Sequence, residues 1–485
     1  MSTATTTSTP TLTLRPDNLK RIDLSNFEAR PGNDFSSAFT AFDEPLEGDQ
    51  ADYLPQRFAE LKQELVQNPE KVVESWKRLK LVLGDKIKLI EQEGSNIIPE
   101  ISFNEIQKLD PAKRQNILEK GCVIIRNVFP KEKALEFKKD AQEYIKLNPQ
   151  TKGYPASDPI VYELYWSKSQ VNARSDPKMM ETMKFINNLW HTNDPNVEVS
   201  LNHNLSYADR FRIRNPGDDS FTLGPHADGG CIERWEDEEY RKCYKDVFNG
   251  DWENYDSYDV THRTKANMNI YPVANACSVF RSFQGWLSMS SVGPSEGTIL
   301  LAPFIKEITS YFLLKPFFDE FDELDLQSSK FPGSKLGKNQ EFNEKSHPDL
   351  NLSKLMTSIP KVQPGDAVFW HCDLIHAVDP VHKGELDSSV MYIPAVPLCD
   401  LNTKYLKLQR EALLKGLTGP DFPGFPTSEA ETNHQNRADS KFVYQVGGLQ
   451  ALQELGLEPI KYDENDSQGV KAVIDNFNKE LFYKV

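Results

Sequence analysis

The sequence contains no long apolar segment, no paired cysteines and no excess of basic residues. Because a membrane-spanning helix needs about 20 predominantly apolar residues, the absence of such a run excludes one. The formal net charge of −16 argues against binding to nucleic acid or to an anionic membrane, since Lys and Arg are too few to form a large basic face. We therefore expect a small-molecule substrate, with neither nucleic acid nor membrane as a partner. The oligomeric state stays open.

The cysteines are scattered, and none forms a C-x-x-C pair. Disulfide frameworks and structural zinc sites both need cysteines at characteristic spacings. The pattern therefore predicts free, mostly buried thiols and a reducing, cytoplasmic location. The six residues are Cys122, Cys231, Cys243, Cys277, Cys372 and Cys399.

The N-terminal part of the chain divides into a leader and a helical region. Residues 1–50 mix Thr, Ser, Pro, Asp and Asn without periodicity, which is typical of a flexible leader. Residues 51–150 form the predicted helical region, which we expect to pack on the core. Lys131–Leu147 is predicted to be an amphipathic helix that follows a buried strand within 121–130. A helical stripe is formed by Val72, Trp76, Leu79 and Leu83.

Residues 151–415 are predicted to form the core of the protein. Between 201 and 304 helical periodicity is lost, and short apolar runs alternate with Gly, Pro, Asn and Asp, which is typical of antiparallel sheet. The predicted fold class is therefore mainly β with surrounding helices (α+β). The strand candidates are Phe211–Arg214, Trp286–Met289, Thr298–Leu301, Ala367–Trp370 and Ser389–Ile393.

Two inserts and an extension accompany this core. Residues 236–265 are rich in Tyr, Trp and Asp and form either a lid over the site or packing. The insert 305–360 begins with a predicted helix, Ile308–Leu324, and continues as a polar loop. Residues 416–485 form a C-terminal extension with helical pieces.

The strongest chemical signal is Leu223-Gly-Pro-His-Ala-Asp-Gly-Gly230. On an extended segment His226 and Asp228 point to the same side, because side-chain direction has a period of two. An imidazole nitrogen and a carboxylate oxygen can then bind one metal. The pattern is short and also arises by chance, so its interpretation depends on a second segment.

That second segment is Pro364–Pro380, in which a Gly-Asp turn opens a strand and two histidines follow, His371 and His376. Either histidine, added to the H-x-D pair, gives two imidazoles and one carboxylate on one face of a metal. Three coordination positions remain open, which is the arrangement of non-haem iron(II) oxygenases. A chelating co-substrate takes two of them and O₂ takes the third.

The stretch Gly365–His376 resembles the distal-histidine segment of the phytanoyl-CoA hydroxylase-like branch of 2-oxoglutarate/iron(II) dioxygenases. In that branch a Gly-Asp turn precedes the ligand histidine by the same interval, which favours His376 as the ligand. Further segments together resemble a poorly characterised domain-of-unknown-function family in that branch. The resemblance covers about residues 55–415 and implies a double-stranded β-helix (jelly-roll, cupin-like) core. The segments are Tyr207–Gly217, Pro225–Trp235, Phe280–Ser290, Pro294–Pro303 and Val390–Pro394.

One departure from the pattern concerns the co-substrate. Relatives usually carry an arginine shortly after the distal histidine, where it pairs with the far carboxylate of 2-oxoglutarate, but Glu385–Tyr392 contains none. A buried carboxylate needs a cationic partner or several donors. The candidates for this role are Arg281 and Arg214, followed by Lys383 and Tyr392; each could instead form an ordinary structural contact.

Two further residues are candidates for supporting or substrate-binding roles. His371 is predicted to be a core residue or to support the ligands. Arg234 closely follows the H-x-D segment and could reach the mouth of the pocket. An ion pair with an acidic residue at 236–239 is the alternative.

The sequence therefore predicts an iron(II) oxygenase that uses 2-oxoglutarate and O₂ to oxidise a small organic substrate, with release of succinate and CO₂. His226, Asp228 and His376 are the predicted metal ligands. One alternative is a non-catalytic jelly-roll protein that binds a metal and a small acid. Another is a zinc hydrolase with the same ligands, which would act without O₂ or a keto acid. The identity of the substrate cannot be predicted from the sequence.

Overall fold

A computed structural model describes residues 16–31 and 53–484 of the chain. The predicted leader thus lies partly outside the described residues. The α-helices are α1 (Arg57–Leu65), α2 (Pro69–Glu93), α3 (Pro111–Lys120), α4 (Lys131–Leu147), α5 (Lys168–Ser175), α6 (Pro177–Asn187), α7 (Glu233–Glu236), α8 (Glu238–Lys242), α9 (Lys245–Phe248), α10 (Ile305–Leu314), α11 (Leu352–Leu355), α12 (Asp400–Lys415), α13 (Ser440–Glu454) and α14 (Gln468–Leu481). Short 3-10 helices lie at Pro16–Asn18, Leu24–Asn26, Gly94–Ile97, Phe103–Lys108, Trp252–Asn254, Arg263–Lys265, Lys315–Phe317 and Pro348–Leu350.

The strands form two main sheets and one separate pair. They are β1 (Glu100–Ser102), β2 (Cys122–Arg126), β3 (Gly153–Tyr154), β4 (Val161–Tyr162), β5 (Val199–Asn204), β6 (Phe211–Arg214), β7 (His226–Ala227), β8 (Phe283–Ser288), β9 (Ile299–Leu301), β10 (Gln340–Glu341), β11 (Thr357–Ser358), β12 (Ala367–His371), β13 (His376–Val378), β14 (Ser388–Tyr392) and β15 (Pro397–Cys399). The strand candidates in the sequence correspond to β6, β8, β9, β12 and β14.

The larger sheet has eight strands in the order β1-β2-β12-β8-β14-β6-β4-β3. All neighbours in it are antiparallel except β1 and β2, which run parallel. Strand β2 is an apolar, β-branched run with four of its five residues buried, as suits the interior of a sheet. Gly121 precedes it with φ of 74°, where a Cβ would lie 2.7 Å from the Ile305 side chain. Residues 51–150, predicted to be a helical region, thus also supply strands β1 and β2 of this sheet.

The smaller sheet has five antiparallel strands in the order β10-β7-β13-β9-β11, and β15 pairs separately with β5. The two main sheets both line one cavity: β6, β8, β12 and β14 contribute from the larger sheet, and β7, β9 and β13 from the smaller. The fold is mixed α+β, with a cavity between two sheets. The prediction of a mainly β protein was too narrow, because more of the described residues lie in helices than in strands.

The helices pack around these sheets. Helix α2 buries the predicted stripe, and its Trp76 stacks on Tyr311 and Phe318 at centroid distances of 5.1 and 4.7 Å. Helix α4 has the predicted bounds. The helix predicted over Ile308–Leu324 ends early, at Leu314 with a 3-10 turn to Phe317, because Pro316 lacks the N–H that a helix interior requires.

Part of the predicted leader is packed rather than flexible. Leu19 and Leu24 are buried in an apolar cluster with residues of α12 and α14. The side chain of Arg21 binds both carboxylate oxygens of Glu411 at 2.8 Å. These partners are some 390 residues away in the sequence, so the local composition of the leader gives no sign of them.

The insert 236–265 is packed into the protein. Its Tyr240, Tyr244, Trp252 and Tyr255 are all buried within the main apolar cluster. The burial of these aromatic residues agrees with the packing interpretation given above. Within residues 16–31 and 53–484, no helix is long and apolar enough to cross a membrane.

Candidate metal centre

Pairing of two short strands brings two histidines together. His226 of β7 and His376 of β13 are direct partners in the antiparallel register, and their ring centroids are 4.2 Å apart. Asp228 follows β7 on the same side as His226. Its carboxylate oxygens lie 3.7 Å from His226 Nε2 and 3.9 Å from His376 Nε2. One potential ligand atom from each residue thus lies within 4.8 Å of the other two.

Backbone carbonyls fix the orientation of both imidazoles. Nδ1 of His226 lies 2.7 Å from the carbonyl oxygen of Gly224, and Nδ1 of His376 lies 3.0 Å from that of Leu374. A carbonyl oxygen can only accept, so each Nδ1 must carry the proton. The lone pair is then on Nε2, which faces Asp228. This is how metal-binding histidines are usually held.

The protonation states also suit a metal. Burial and the neighbouring His226 lower the pKa of His376 to about 3, so its imidazole is neutral. Burial on its own would raise the pKa of Asp228, but His226, His376 and Arg281 outweigh it and the pKa is lowered. A divalent metal needs neutral imidazole and ionised carboxylate, which these residues provide. The donor set therefore fits an iron(II) ion held on one face.

A buried ion network connects the two segments that carry the ligands. Arg234 donates at 2.6 Å to the carbonyl oxygens of Asp228 and Gly230, and at 3.4 Å to the carboxylate of Asp373. Asp373, which lies three residues before His376, also pairs with Arg263. Burial alone would raise the pKa of Asp373, but Arg263 and Arg234 lower it strongly. Arg234 therefore holds the backbone of the H-x-D loop, and it makes no ion pair with residues 236–239.

A second group of potential ligands, His371, Cys372 and Asp373, is used for structure instead. His371 Nε2 donates to the carbonyl oxygen of Ser257 at 2.9 Å, and its Nδ1 accepts from the backbone N–H of Asp373 at 3.1 Å. The ring stacks on Trp190 at 4.8 Å. Burial lowers the pKa of His371 to about 4, so the ring is a neutral core residue.

The three candidate ligands line one cavity, which has a volume of about 190 Å³. Strands supply one part of the lining, and the segments between them supply the rest. The strand residues include Arg212, Gln284, Trp286, Trp370, Val378, Val390 and Tyr392. The residues from connecting segments include Tyr207, Asp209, Arg210, Asn275, Cys277, Arg281, Asn339 and Phe422.

The predicted co-substrate residues divide into two pairs. Arg281 and Tyr392 line the cavity, whereas Arg214 and Lys383 do not. Arg214 is buried and fully occupied by the Asp218 carboxylate at 2.6 Å and by the carbonyl oxygens of Asp379 and Pro380. Lys383 is exposed to solvent. For these two residues the structure offers no contact with a ligand in the cavity.

Arg212 is a functional candidate that the sequence did not reveal. It is 4% exposed and lines the cavity, and its cross-strand neighbours Val161 and Val390 line it too. Its Nη2 donates to the carbonyl oxygen of Gly297 and to Ser388 Oγ, while Nε has no hydrogen-bond partner. Within the described part of the chain no carboxylate lies within 4.0 Å of it, and burial lowers its pKa. A buried cation without a counter-ion is costly unless a ligand supplies the negative charge.

Two more buried donors face the same cavity. Gln284 of β8 and Trp370 of β12 are direct cross-strand partners. Gln284 Nε2 and Trp370 Nε1 are both buried without a hydrogen-bond partner among the described residues. The Trp370 ring lies 5.2 Å from that of His376, so this pair of donors borders the candidate metal ligands.

Comparison with known proteins places most of the chain in one family. The Gig2-like family model matches residues 52–456. The uncharacterised protein YbiU of Escherichia coli (strain K12) is 35% identical over 367 residues, which cover 73% of this chain and 84% of that protein.

Solved structures share the fold. GlcNAc Inducible Gene 2, GIG2 (DUF1479), from Candida albicans superposes with a TM-score of 0.81 at 33% identity, covering 88% of this chain and 95% of that one. A protein from Salmonella typhimurium LT2, provisionally named an oxidoreductase, gives 0.73 at 31% identity, with coverage of 85% and 100%. The hypothetical protein JW0805 from Escherichia coli gives 0.73 at 31% identity, with coverage of 84% and 99%.

Proposed function

The chain belongs to the Gig2-like family, and for this member we propose the function of an iron(II)- and 2-oxoglutarate-dependent oxygenase with a double-stranded β-helix core. The proposed wider relationship is to the phytanoyl-CoA hydroxylase-like branch of these enzymes. A relative provisionally named an oxidoreductase agrees with the reaction class. The cytoplasmic location proposed from the sequence fits six free cysteines.

A single observation carries the proposal. Two imidazoles and one carboxylate converge at the wall of a cavity, with each Nδ1 hydrogen-bonded to a backbone carbonyl oxygen and each Nε2 directed at Asp228. Protein ligands on one side leave the positions toward the cavity for other molecules. A structural zinc site would instead enclose the metal with four protein ligands.

When bound, iron(II) would supply the means of activating O₂, so that substrate, 2-oxoglutarate and O₂ give hydroxylated substrate, succinate and CO₂. One oxygen atom enters the substrate C–H bond and the other enters succinate. The protein residues bind and orient the substrate and the co-substrate, and they exclude water.

Arg212 is the proposed partner of the distal carboxylate of 2-oxoglutarate. It is the buried cation on the strand-lined side of the cavity, and a carboxylate would supply its missing counter-ion. The Tyr392 phenol lies on the neighbouring strand, lines the same cavity and can donate a further hydrogen bond. Charge-assisted pairs of this kind are strong where water is excluded.

Gln284 and Trp370 are proposed to orient the end of the co-substrate nearest the metal. The Trp370 ring lies 5.2 Å from that of His376, and Gln284 is the cross-strand partner of Trp370. A carboxylate or keto oxygen could satisfy their unpartnered N–H groups. Buried donors are costly when unpaired, so a ligand that satisfies both gains affinity and a fixed orientation.

Turnover of ¹³C-labelled 2-oxoglutarate tests the function. Purified protein with iron(II) and O₂ should form labelled succinate, since these enzymes commonly consume the keto acid slowly without their primary substrate. Omission of O₂ or iron, or the substitution Asp228→Ala, should abolish the product. Lys383→Gln, which removes an exposed charge outside the cavity, serves as the matched control and should behave as wild type.

The same assay separates the alternatives. A non-catalytic protein would bind iron and 2-oxoglutarate without forming succinate in any condition, including the presence of a small-molecule extract. A zinc hydrolase would be active on its substrate without O₂ and with no need for the keto acid. Either result would overturn the proposed oxygenase.

A further inference from the structure

We propose that the primary substrate carries an anionic group, and that Arg281 binds this group next to the metal. The proposal rests on the oxygenase function above and adds the substrate class. It is distinct from co-substrate binding, which is assigned to Arg212 on strand β6.

Among the described residues Arg281 forms an ion pair with one carboxylate only, and that carboxylate is a candidate ligand of the metal. The Nη2 of Arg281 lies 3.4 Å from Asp228 Oδ2, and within the described residues it makes no other ion pair. Once Asp228 binds iron, its negative charge is neutralised by the metal. Arg281, with a side chain only 12% exposed, would then need another anion.

The charges that line the cavity lead to the same conclusion. Three arginines (Arg210, Arg212 and Arg281) face two carboxylates (Asp209 and Asp228). Iron(II) adds two positive charges and 2-oxoglutarate adds two negative charges. These two contributions cancel, so the arginines still outnumber the carboxylates among the lining residues, which favours an anionic substrate.

A polar side chain completes the proposed subsite. Asn275 lines the cavity, and both its side-chain nitrogen and its oxygen are inaccessible to solvent without a hydrogen-bond partner. Its backbone N–H donates to the carbonyl oxygen of Asp421 at 2.7 Å, which fixes the residue in place. An unpartnered donor and acceptor favour a substrate with polar groups beyond its charge.

Fractionation of a small-molecule extract tests the substrate class. Extract from Escherichia coli, which contains a relative of this chain, is divided on a strong anion exchanger into retained and unretained fractions. Each is added to the iron-loaded protein with saturating ¹³C-labelled 2-oxoglutarate, and labelled succinate is measured. Because the keto acid is saturating, 2-oxoglutarate in the extract cannot itself produce stimulation.

The retained fraction should stimulate labelled succinate formation and the unretained fraction should not. Equal or greater stimulation by the unretained fraction, or no stimulation by either, contradicts the anionic substrate. The oxygenase function would survive that result as long as slow iron- and O₂-dependent succinate formation is seen without extract. If this slow succinate formation were not observed either, the proposed oxygenase function itself would be wrong.

Variants of Arg281 test the residue. Arg281→Gln should reduce the stimulation by about 10- to 100-fold, as expected for loss of a charged hydrogen bond, and Arg281→Lys should retain part of it. In anaerobic titrations the affinity for 2-oxoglutarate should change by less than about threefold in Arg281→Gln. If Arg281→Gln instead loses 2-oxoglutarate affinity and Arg212→Gln does not, Arg281 binds the co-substrate and the proposal is wrong.

Discussion

Replacing Arg212 with glutamine should weaken 2-oxoglutarate binding far more than it affects folding. The side chain is 4% exposed and forms no ion pair with a carboxylate within the described residues, so its desolvation is offset only by more distant charges such as Asp218 and Asp379. Removing the charge relieves this desolvation cost, and it sacrifices the hydrogen bonds to Gly297 and Ser388 and the contact with the Phe221 ring at 5.4 Å. We therefore expect the free energy of unfolding of the ligand-free protein to change by no more than about 1–2 kcal/mol.

The co-substrate complex should respond differently. Truncating one partner of a buried, hydrogen-bonded charge pair costs about 2–5 kcal/mol. At about 1.4 kcal/mol per factor of ten, the Kd of 2-oxoglutarate should rise at least about 30-fold. Arg212→Lys keeps the charge but loses the planar fork, so it should fall between wild type and Arg212→Gln.

The assay is an anaerobic titration of the iron(II)-loaded protein with 2-oxoglutarate, followed by the visible absorption of the complex. Lys383→Gln removes the same charge from an exposed position outside the cavity and should leave the Kd within about twofold of wild type. An unchanged Kd in Arg212→Gln, with iron still bound, would refute the assignment of Arg212.

Three further predictions follow from buried charges elsewhere. Arg234→Lys should weaken iron binding about tenfold or more, because the guanidinium that holds the carbonyl oxygens of Asp228 and Gly230 is lost. Arg263 contacts Asp373 but not that loop, so Arg263→Lys should lower stability without weakening iron binding. Equal iron affinities of the two variants would contradict the positioning role of Arg234. Burial raises the pKa of Glu454 to about 8, so between about pH 4.5 and 8 the folded state holds a proton that the unfolded state releases. The free energy of unfolding should therefore fall as the pH rises through this range, and melting curves of Glu454→Gln should lack this fall. Arg21→Ala removes the ion-pair partner of the buried Glu411 carboxylate and should lower the free energy of unfolding, measured in urea, by about 1–3 kcal/mol. Lys77→Ala, which breaks an exposed pair, should lower it by less than about 0.5 kcal/mol. Equal losses would mean that the N-terminal segment does not contribute to stability.

Local patterns were sufficient for most elements of the fold. The four-three-four stripe of α2 and the amphipathic pattern of α4 report directly on helical faces, and short apolar runs correspond to β2, β6, β12 and β14. The sequence pattern of a segment does not show which distant segments it packs against. Leu19 is buried against a C-terminal helix, and β1 and β2 join the edge of a sheet whose other strands come from after residue 150. Pairing of this kind depends on tertiary packing rather than on local periodicity.

The candidate site shows the same division. Spacing and resemblance together predicted that His226, Asp228 and His376 form a group, because the H-x-D period and the Gly-Asp interval are local features, and the structure brings their ligand atoms within 4.8 Å of one another. The absent downstream arginine could not be replaced from sequence alone. Arg212 and Arg214 share one face of β6, and only the register with β14 and the contacts of Asp218 show that Arg214 is occupied while Arg212 faces the cavity.

An anaerobic titration with iron(II), followed by 2-oxoglutarate, tests the metal centre most directly. Wild-type protein should bind one iron per chain, and a weak visible charge-transfer band should appear only when both the metal and the keto acid are present. Asp228→Ala should show neither tight iron binding nor the band. Undiminished iron binding in Asp228→Ala, or saturation of the wild type with both ligands and no band, would contradict the account.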